Sequence, residues 1–280
     1  MTRAIHALVD GLPADVITVE DRGLQYGHGM FETCRIVDGR VPLWPYHRER
    51  LLATALRLKI PLSIESIDAD VAELAALRRV GIIKVLVTAG QGGRGYRADD
   101  CMARRVVTVF PAPQEIVDRR VGATVRMCQT RLALQPALAG LKHLNRLEQV
   151  LARAEWSDRN VAEGLMSDVE GNLIEGVATN LFVARNGRIA TARLDRCGVA
   201  AIMRRVLIEE RPGIDEPIEI RHIAVVELDE ADECFLTNSV IGVWPIARVL
   251  DRSGTRQQPG RITFRIMAAL EARFGFPGRP

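Results

Sequence analysis

Two spacings of apolar residues alternate along this chain. A period of two marks strands, and a period near 3.6 marks helices. Over 31–44, apolar runs flank Asp38-Gly39, a short-hairpin signal. Pro45 then opens a helix whose apolar side is expected to carry Leu51, Leu52, Ala55, Leu56 and Leu58. The pattern next predicts an amphipathic helix over 66–79, a buried strand over 82–89, a glycine-rich loop over 90–95 and a strand over 105–110. Pro111-Ala112-Pro113 breaks the periodicity, and a polar stretch follows. The reading is an N-terminal α+β domain at 1–112, a linker at 113–120 and a C-terminal α+β domain at 121–280.

In the second part a strand is expected over 123–128 and a helix over 144–156. Leu144, Leu147, Val150 or Leu151, and Ala154 mark one face of that helix. Hairpins are expected to turn at Glu170-Gly171 and Asn186-Gly187. Further expectations are a helix over 200–210, strands around Ile218 and Phe235, and a closing amphipathic helix over 262–274. Strands and helices do not alternate strictly, so the class is α+β rather than a doubly wound parallel sheet. No internal repeat or low-complexity tract is visible.

Composition narrows the function classes. A formal net charge of +3, without a long run of like charges, gives no footprint for nucleic acid. The longest uncharged window, 234–247, is too short and too polar to span a bilayer. Five scattered cysteines with no C-x-x-C argue against a disulfide framework or a zinc site. A soluble, cytoplasmic protein that binds no metal is expected. Of 38 Lys plus Arg only three are lysines: Lys59, Lys84 and Lys142. Only an amine, not a guanidinium, can lose a proton and attack a carbonyl.

Lys142 stands just before the stripe of the 144–156 helix. In a first helical turn the aligned peptide dipoles would lower its amine pKa, as a nucleophile requires. A solvated lysine is the plainer reading of that position. Lys59 ends a helix and is expected in water. Lys84, inside Ile82-Ile83-Lys84-Val85, must reach a polar partner or a cavity. Gly90-Gln91-Gly92-Gly93-Arg94-Gly95 has the spacing of a dinucleotide loop, but no apolar helix follows it. It reads equally as a surface turn or as a flexible loop bringing Arg94 and Tyr96 to an anion. Glu175 is either an exposed strand-end carboxylate or the partner of a protonated ring nitrogen. Arg50 could anchor a phosphate, and so could the first N–H groups of the 200–210 helix.

Taken together these segments resemble the fold-type IV pyridoxal-phosphate enzymes, the branched-chain and D-amino-acid aminotransferase-like superfamily. Within it they are similar to the aminodeoxychorismate lyase branch. The residues that carry the likeness are Ala139-Gly140-Leu141-Lys142-His143-Leu144-Asn145-Arg146-Leu147-Glu148-Gln149-Val150 and Gly92-Gly93-Arg94-Gly95-Tyr96. Glu175-Gly176 with Asn180-Leu181-Phe182, His47-x-x-Arg50-Leu51 and Ala201-Ile202-Met203-Arg204 belong to the wider class. The resemblance implies a two-domain fold and a homodimer with its site in the cleft between the domains. The implied cofactor is pyridoxal 5'-phosphate, held by Lys142. Glu175 would face the pyridine nitrogen. Arg50, the backbone N–H groups of Ile202 and Met203, and the Ser239 hydroxyl would bind the phosphate. Arg94 and Tyr96 would receive a carboxylate of a small-molecule substrate, aminodeoxychorismate.

The chain departs from the family pattern at four places. His28 stands where Asp is usual, Ala89 where Arg is common, and Met203 where a threonine is usual. Phe31 replaces the tyrosine of the D-amino-acid transaminases. An aminotransferase for branched-chain or D-amino acids on the same fold is the alternative activity. A nucleotide-binding module built on the glycine-rich loop is the alternative from a different class.

Overall fold

The computed structural model describes residues 4–98, 101–112, 121–250 and 260–276. The chain forms two compact units, Met1–Gln114 with Lys142–Asn145, and Glu115–Leu141 with Arg146–Pro280. The expected linker at 113–120 lies outside the described residues. No described helix is long and apolar enough to cross a membrane.

The first unit contains, in chain order, β1 (His6–Val9), β2 (Leu12–Pro13), α1 (Arg22–Tyr26), β3 (Gly29–Val37), α2 (Trp44–Leu58), α3 (Ile64–Ala76), β4 (Val80–Thr88) and β5 (Arg104–Pro111). Its described strands form one antiparallel sheet in the order β2-β1-β5-β4-β3. Alternation sends Met30, Cys34, Ile36, Ile83, Val85, Val87, Val107 and Val109 to one face, where they pack with Leu51, Ala55, Ile67, Val71 and Leu74 of α2 and α3. Phe31, Thr33, Arg35, Ile82, Lys84 and Leu86 fall on the opposite, half-buried face.

The Asp38-Gly39 turn forms, with both residues at positive φ (46° and 76°) and Val37 and Arg40 exchanging N–H···O bonds of 2.8 and 3.0 Å. No hairpin grows from it. The strand paired with β3 along its whole length is β4, Gly29 opposite Thr88 through Val37 opposite Val80. Pro42 and Pro45 lie just beyond the turn; lacking N–H groups, they hand the chain to α2 instead. On α2 the buried face is His47, Leu51, Thr54 and Ala55, while Leu52 is exposed and Leu56 is 82% exposed. The expected stripe is right at Leu51, Ala55 and Leu58, which pack on the core, and wrong at Leu52 and Leu56. The true stripe follows the 3.6 period through two polar residues.

The second unit comprises β6 (Ala123–Met127), α4 (Leu147–Arg153), β7 (Glu163–Ser167), β8 (Asn172–Gly176), β9 (Asn180–Arg185), β10 (Arg188–Ala192), α5 (Ile202–Glu210), β11 (Glu219–Arg221), β12 (Ile223–Ala224), α6 (Glu227–Glu230), β13 (Glu233–Asn238), β14 (Gly242–Val249) and α7 (Arg261–Phe274). Its mixed sheet runs β11-β10-β9-β13-β14-β6-β7-β8-β12, and a further pairing joins β8 to β9. That pairing closes β9, β13, β14, β6, β7 and β8 into a ring, and its one registered pair is Glu175 opposite Asn180. Both expected hairpins form, β7–β8 and β9–β10. At the second turn Asn186 and Gly187 have φ of 51° and 79°, the positive values an Asn-Gly turn supplies.

Helix α4 corrects the expectation most. It begins at Leu147 rather than 144, and Leu147, Val150 and Leu151 are exposed while Gln149 and Ala152 are buried. The cause lies in the preceding residues. Residues 142–145 run beside the start of β3: Phe31 donates to the Lys142 carbonyl (3.0 Å), Leu144 to that of Gly29 (3.0 Å), and Met30 bridges His143. Backbone committed to a strand-like ladder cannot also start a helix.

Candidate active site

Lys142 is thus not in a helical first turn, and the dipole argument for its amine does not apply. What positions it is the ladder with β3, reinforced by the Asn145 side-chain amide donating to the Gly27 carbonyl at 3.3 Å. Its Nζ lies 4.3 Å from the Phe31 ring centroid. Lys84 reaches the same ring from β4, with its Nζ 5.4 Å away. Lys59 caps α2 in the left-handed region, exposed to solvent as expected. Two of the chain's three amines therefore meet at one aromatic ring.

Behind that strand lies a buried carboxylate that sequence reasoning passed over. Glu32 sits on the core face of β3, 1% exposed. Arg50 donates to it through Nε (2.7 Å) and Nη2 (2.5 Å), and the His47 Nδ1–H donates at 2.6 Å. Burial alone would raise the carboxyl pKa, but the Arg50 and His47 side chains overcome that and bring it to about 2. Burial pushes the imidazole of His47 below its ordinary value, so at neutral pH Arg50 is the cation of the cluster. The His47 Nε2 has no partner, as fits a neutral ring whose one proton is on Nδ1. The available signal was a charged residue at an inward position of an alternating strand. Burial raises the Cys34 thiol pKa and Glu32 adds to it, while Arg50 and Lys142 pull the other way. Lys142 and Arg50 are therefore both within electrostatic reach of the same stretch of β3.

The glycine-rich loop is held by Arg22, which is 2% exposed. Its guanidinium donates to the carbonyls of Gly93 (3.1 Å), Gly95 (3.0 Å) and Tyr96 (3.3 Å). The Gly95 N–H donates to the Tyr26 hydroxyl at 3.1 Å, and the rings of Tyr26 and Tyr96 meet edge to face. Added bulk at Gly92 would meet Arg22 Cδ at 2.8 Å. The Arg94 and Tyr96 side chains are exposed, Tyr96 at 91%. No helix follows among the described residues before β5, so the loop lacks the helix N-terminus that a dinucleotide site needs. His28 points its Nε2 at the Leu58 carbonyl, 2.8 Å away at the end of α2, and Ala89 is fully buried.

In the second unit Glu175 is 3% exposed and stands at the seam of the strand ring. Its Oε2 accepts from the Val199 N–H at 2.8 Å and from Asn180 Nδ2 at 3.4 Å. The same Nδ2 donates to the Val199 carbonyl (2.9 Å), and the Asn180 Oδ1 accepts from the Ala201 N–H (3.2 Å). One asparagine thereby ties the carboxylate to the start of α5, where Ile202 and Met203 are the first residues. The exposed-carboxylate reading of Glu175 is thus corrected. Arg204 is pushed down to about 10 by burial, against the pull of Glu175, and Arg146 is lowered in the same way.

The N-cap of α5, Ala201, offers no side-chain cap, and the first turn holds no acidic residue. An uncapped helix start presents N–H groups and partial positive charge, which suits an anion. Thr237, opposite Asn180 on β13, is 1% exposed with its hydroxyl unpartnered. Ser239 follows two residues later, in the turn that Asn238 stabilises by accepting from Val240 and Ile241 (2.9 and 2.7 Å). Such a donor set fits a phosphate. The first unit carries Lys142, Arg50, Arg94 and Tyr96, and the second carries Glu175, Ile202, Met203 and Ser239.

The fold is that of the aminotransferase-like, fold-type IV enzymes, which depend on pyridoxal phosphate. The amino-transferase class IV family pattern matches residues 29–249, and the chain belongs to that family. It is 34% identical to the aminodeoxychorismate lyase of Vibrio harveyi, over 94% of this chain and 98% of that one. The crystal structure of 4-amino-4-deoxychorismate lyase from Pseudomonas aeruginosa superposes with a TM-score of 0.91. Its identity is 42%, with 96% of this chain and all of that chain covered. A branched-chain amino acid aminotransferase from Escherichia coli shares the fold, with a TM-score of 0.83 and 22% identity over 97% and 95% of the two chains.

Proposed function

We propose that the protein is a pyridoxal-phosphate-dependent carbon–oxygen lyase. It converts 4-amino-4-deoxychorismate to 4-aminobenzoate and pyruvate, a step of folate biosynthesis. The observation that carries this reading is likeness over nearly the whole chain to two lyases, at 34% and 42% identity. Phe31 beside Lys142, where a transaminase tyrosine would add a polar group, supports it further.

Lys142 would hold the cofactor. Its amine would take the proton from the ring carbon that bears the 4-amino group of the substrate. Braced by β3, the amine needs little reorganisation to reach it. When bound, pyridoxal phosphate supplies the electron sink for this proton loss. Glu175, oriented by Val199 and Asn180, would hold a proton at the pyridine nitrogen. Arg50, fixed by Glu32, would bind the phosphate, as would the Ile202 and Met203 N–H groups and the Ser239 hydroxyl. Met203 contributes only its backbone. Arg94 and Tyr96 receive a substrate carboxylate, a pairing suited to a guanidinium. Departure of the enolpyruvyl group as pyruvate leaves an aromatic ring, which drives the conversion. The protein works as a cytoplasmic homodimer of two-domain subunits.

Purified holoenzyme given aminodeoxychorismate should release 4-aminobenzoate and pyruvate with no keto-acid acceptor present. Turnover that requires an amino-acid donor and a keto acid would replace this reading with an aminotransferase. Borohydride reduction followed by peptide mapping should place the cofactor on Lys142. Lys142→Ala should lose that attachment while Lys59→Ala keeps it, and a label on Lys84 would overturn the assignment.

A further inference from the structure

The glycine-rich loop has little packing of its own to order it. A Cβ added at Gly93 or Gly95 would meet no atom within 4 Å, and Gly95 stands at φ 88°, a conformation side chains rarely adopt. Beyond the edge-to-face contact of Tyr96 with Tyr26, its order comes from one buried side chain. The Arg22 guanidinium donates through Nη1 to the Gly93 and Gly95 carbonyls and through Nη2 to that of Tyr96. The clamped carbonyls therefore lie on both sides of Arg94.

Arg22 is itself held in place. Its N–H donates to the Gly90 carbonyl at 2.8 Å, and its own carbonyl accepts from the His28 N–H at 3.2 Å. Asp21 before it caps the helix at the Gly23 N–H (2.8 Å) and accepts from the Thr88 hydroxyl of β4 (2.8 Å). The guanidinium lies over the Tyr26 ring, 4.8 Å from its centroid, and the Tyr26 hydroxyl accepts from the Gly95 N–H. The loop is thus tied to the sheet through one guanidinium and one phenol. Resting on the reading that Arg94 and Tyr96 receive a substrate carboxylate, we propose that Arg22 is the positioning residue that holds this loop in its receiving shape and thereby sets the affinity for substrate. A loop ordered beforehand spares binding the entropy cost of ordering it. The planar fork of an arginine serves three carbonyls at once, and the point charge of a lysine serves fewer.

The test compares wild-type holoenzyme with Arg22→Lys, Tyr26→Phe, Arg94→Ala and the double variant Arg22→Lys/Arg94→Ala. The readouts are steady-state kinetics with aminodeoxychorismate, cofactor absorbance, and deuterium uptake across residues 93–96. Arg22→Lys should raise KM about tenfold, the scale of one charge-assisted bond no longer presented, and change kcat by less than about threefold. Uptake across 93–96 should quicken while cofactor absorbance stays as in wild type. Tyr26→Phe, which removes only the acceptor for Gly95, should move KM and uptake the same way by a smaller factor. It carries the test by itself if Arg22→Lys does not fold. Because Arg22 acts through the loop, the double variant should have a KM no worse than that of Arg94→Ala. Additive effects on KM, an unchanged KM beside faster uptake, or a shifted cofactor absorbance with kcat falling as far as KM rises overturns the role of Arg22 while leaving the lyase reading intact. An unchanged KM in Arg94→Ala removes the receiving role of the loop and this proposal with it. Absence of lyase turnover in the wild type overturns the lyase reading itself.

Discussion

Glu32 of the first unit and Glu163 of the second are both buried carboxylates with several hydrogen-bond donors, yet their acidities move in opposite directions. Glu32 faces the Arg50 guanidinium and the His47 imidazole, and its pKa falls to about 2 although burial opposes this. Glu163 accepts from Gly164 N (3.0 Å), Ala178 N (3.2 Å) and the Thr179 hydroxyl (3.3 Å), all neutral. Burial dominates there, and its pKa is raised. Hydrogen bonds satisfy the oxygens in both places. Only a neighbouring positive charge offsets the cost of desolvating the anion. The two glutamates accordingly do different work: Glu32 fixes a cationic side chain, and Glu163 holds the turn that carries the chain from Glu175 to Asn180.

Breaking the charged member of the comparison should have the largest effect. Glu32→Gln keeps the shape but removes the carboxylate charge to which Arg50, whose side chain is 11% exposed, donates. The expected loss is about 3–5 kcal/mol of unfolding free energy, the scale for half a buried ion pair. Urea denaturation measures it, and a loss below about 1 kcal/mol would mean that Glu32 is not the anion described.

Acid should reveal the same interaction in the unaltered protein. The folded pKa of Glu32, about 2, is below its ordinary 4.5, so its stabilisation is complete above 4.5 and lost as pH falls through 2. On the order of 3 kcal/mol should disappear across that window. Glu32→Gln should flatten this part of the stability profile.

Glu163 sharpens the contrast with the opposite sign and a smaller size. Because its folded pKa is raised, the protonated form is favoured by folding, and stability falls as pH climbs from 4.5 through the folded value. Glu163→Gln should remove that slope and change stability at neutral pH by no more than about 1 kcal/mol, since the surrounding donors remain. A slope that persists in the variant would assign the titration to another group.

Features carried by adjacent residues were legible in the sequence. Asn186-Gly187 makes its turn, and the hairpin forms, because both positive-φ positions lie side by side. The segment around Lys142 stood out through its likeness to a known family. What was hidden depends on partners distant along the chain. Arg22 and the Gly93 carbonyl are 71 residues apart, and Glu32 and Arg50 are 18 apart on different elements. The helix expected from 144 starts at 147 because β3, more than a hundred residues earlier, claims the backbone of 142–145. On α2 the leucine count outweighed the periodicity, although His47 and Thr54 complete the buried stripe.

The ring of strands in the second unit closes through a single registered pair, and that pair contains Glu175. A clasp with one stitch is where a barrel opens first on warming. Its loosening would swing the carboxylate away while the remaining strands stay zipped. Loss of function should therefore precede melting, and deuterium uptake at the Val199 and Ala201 amides, which the clasp holds, should report that early opening.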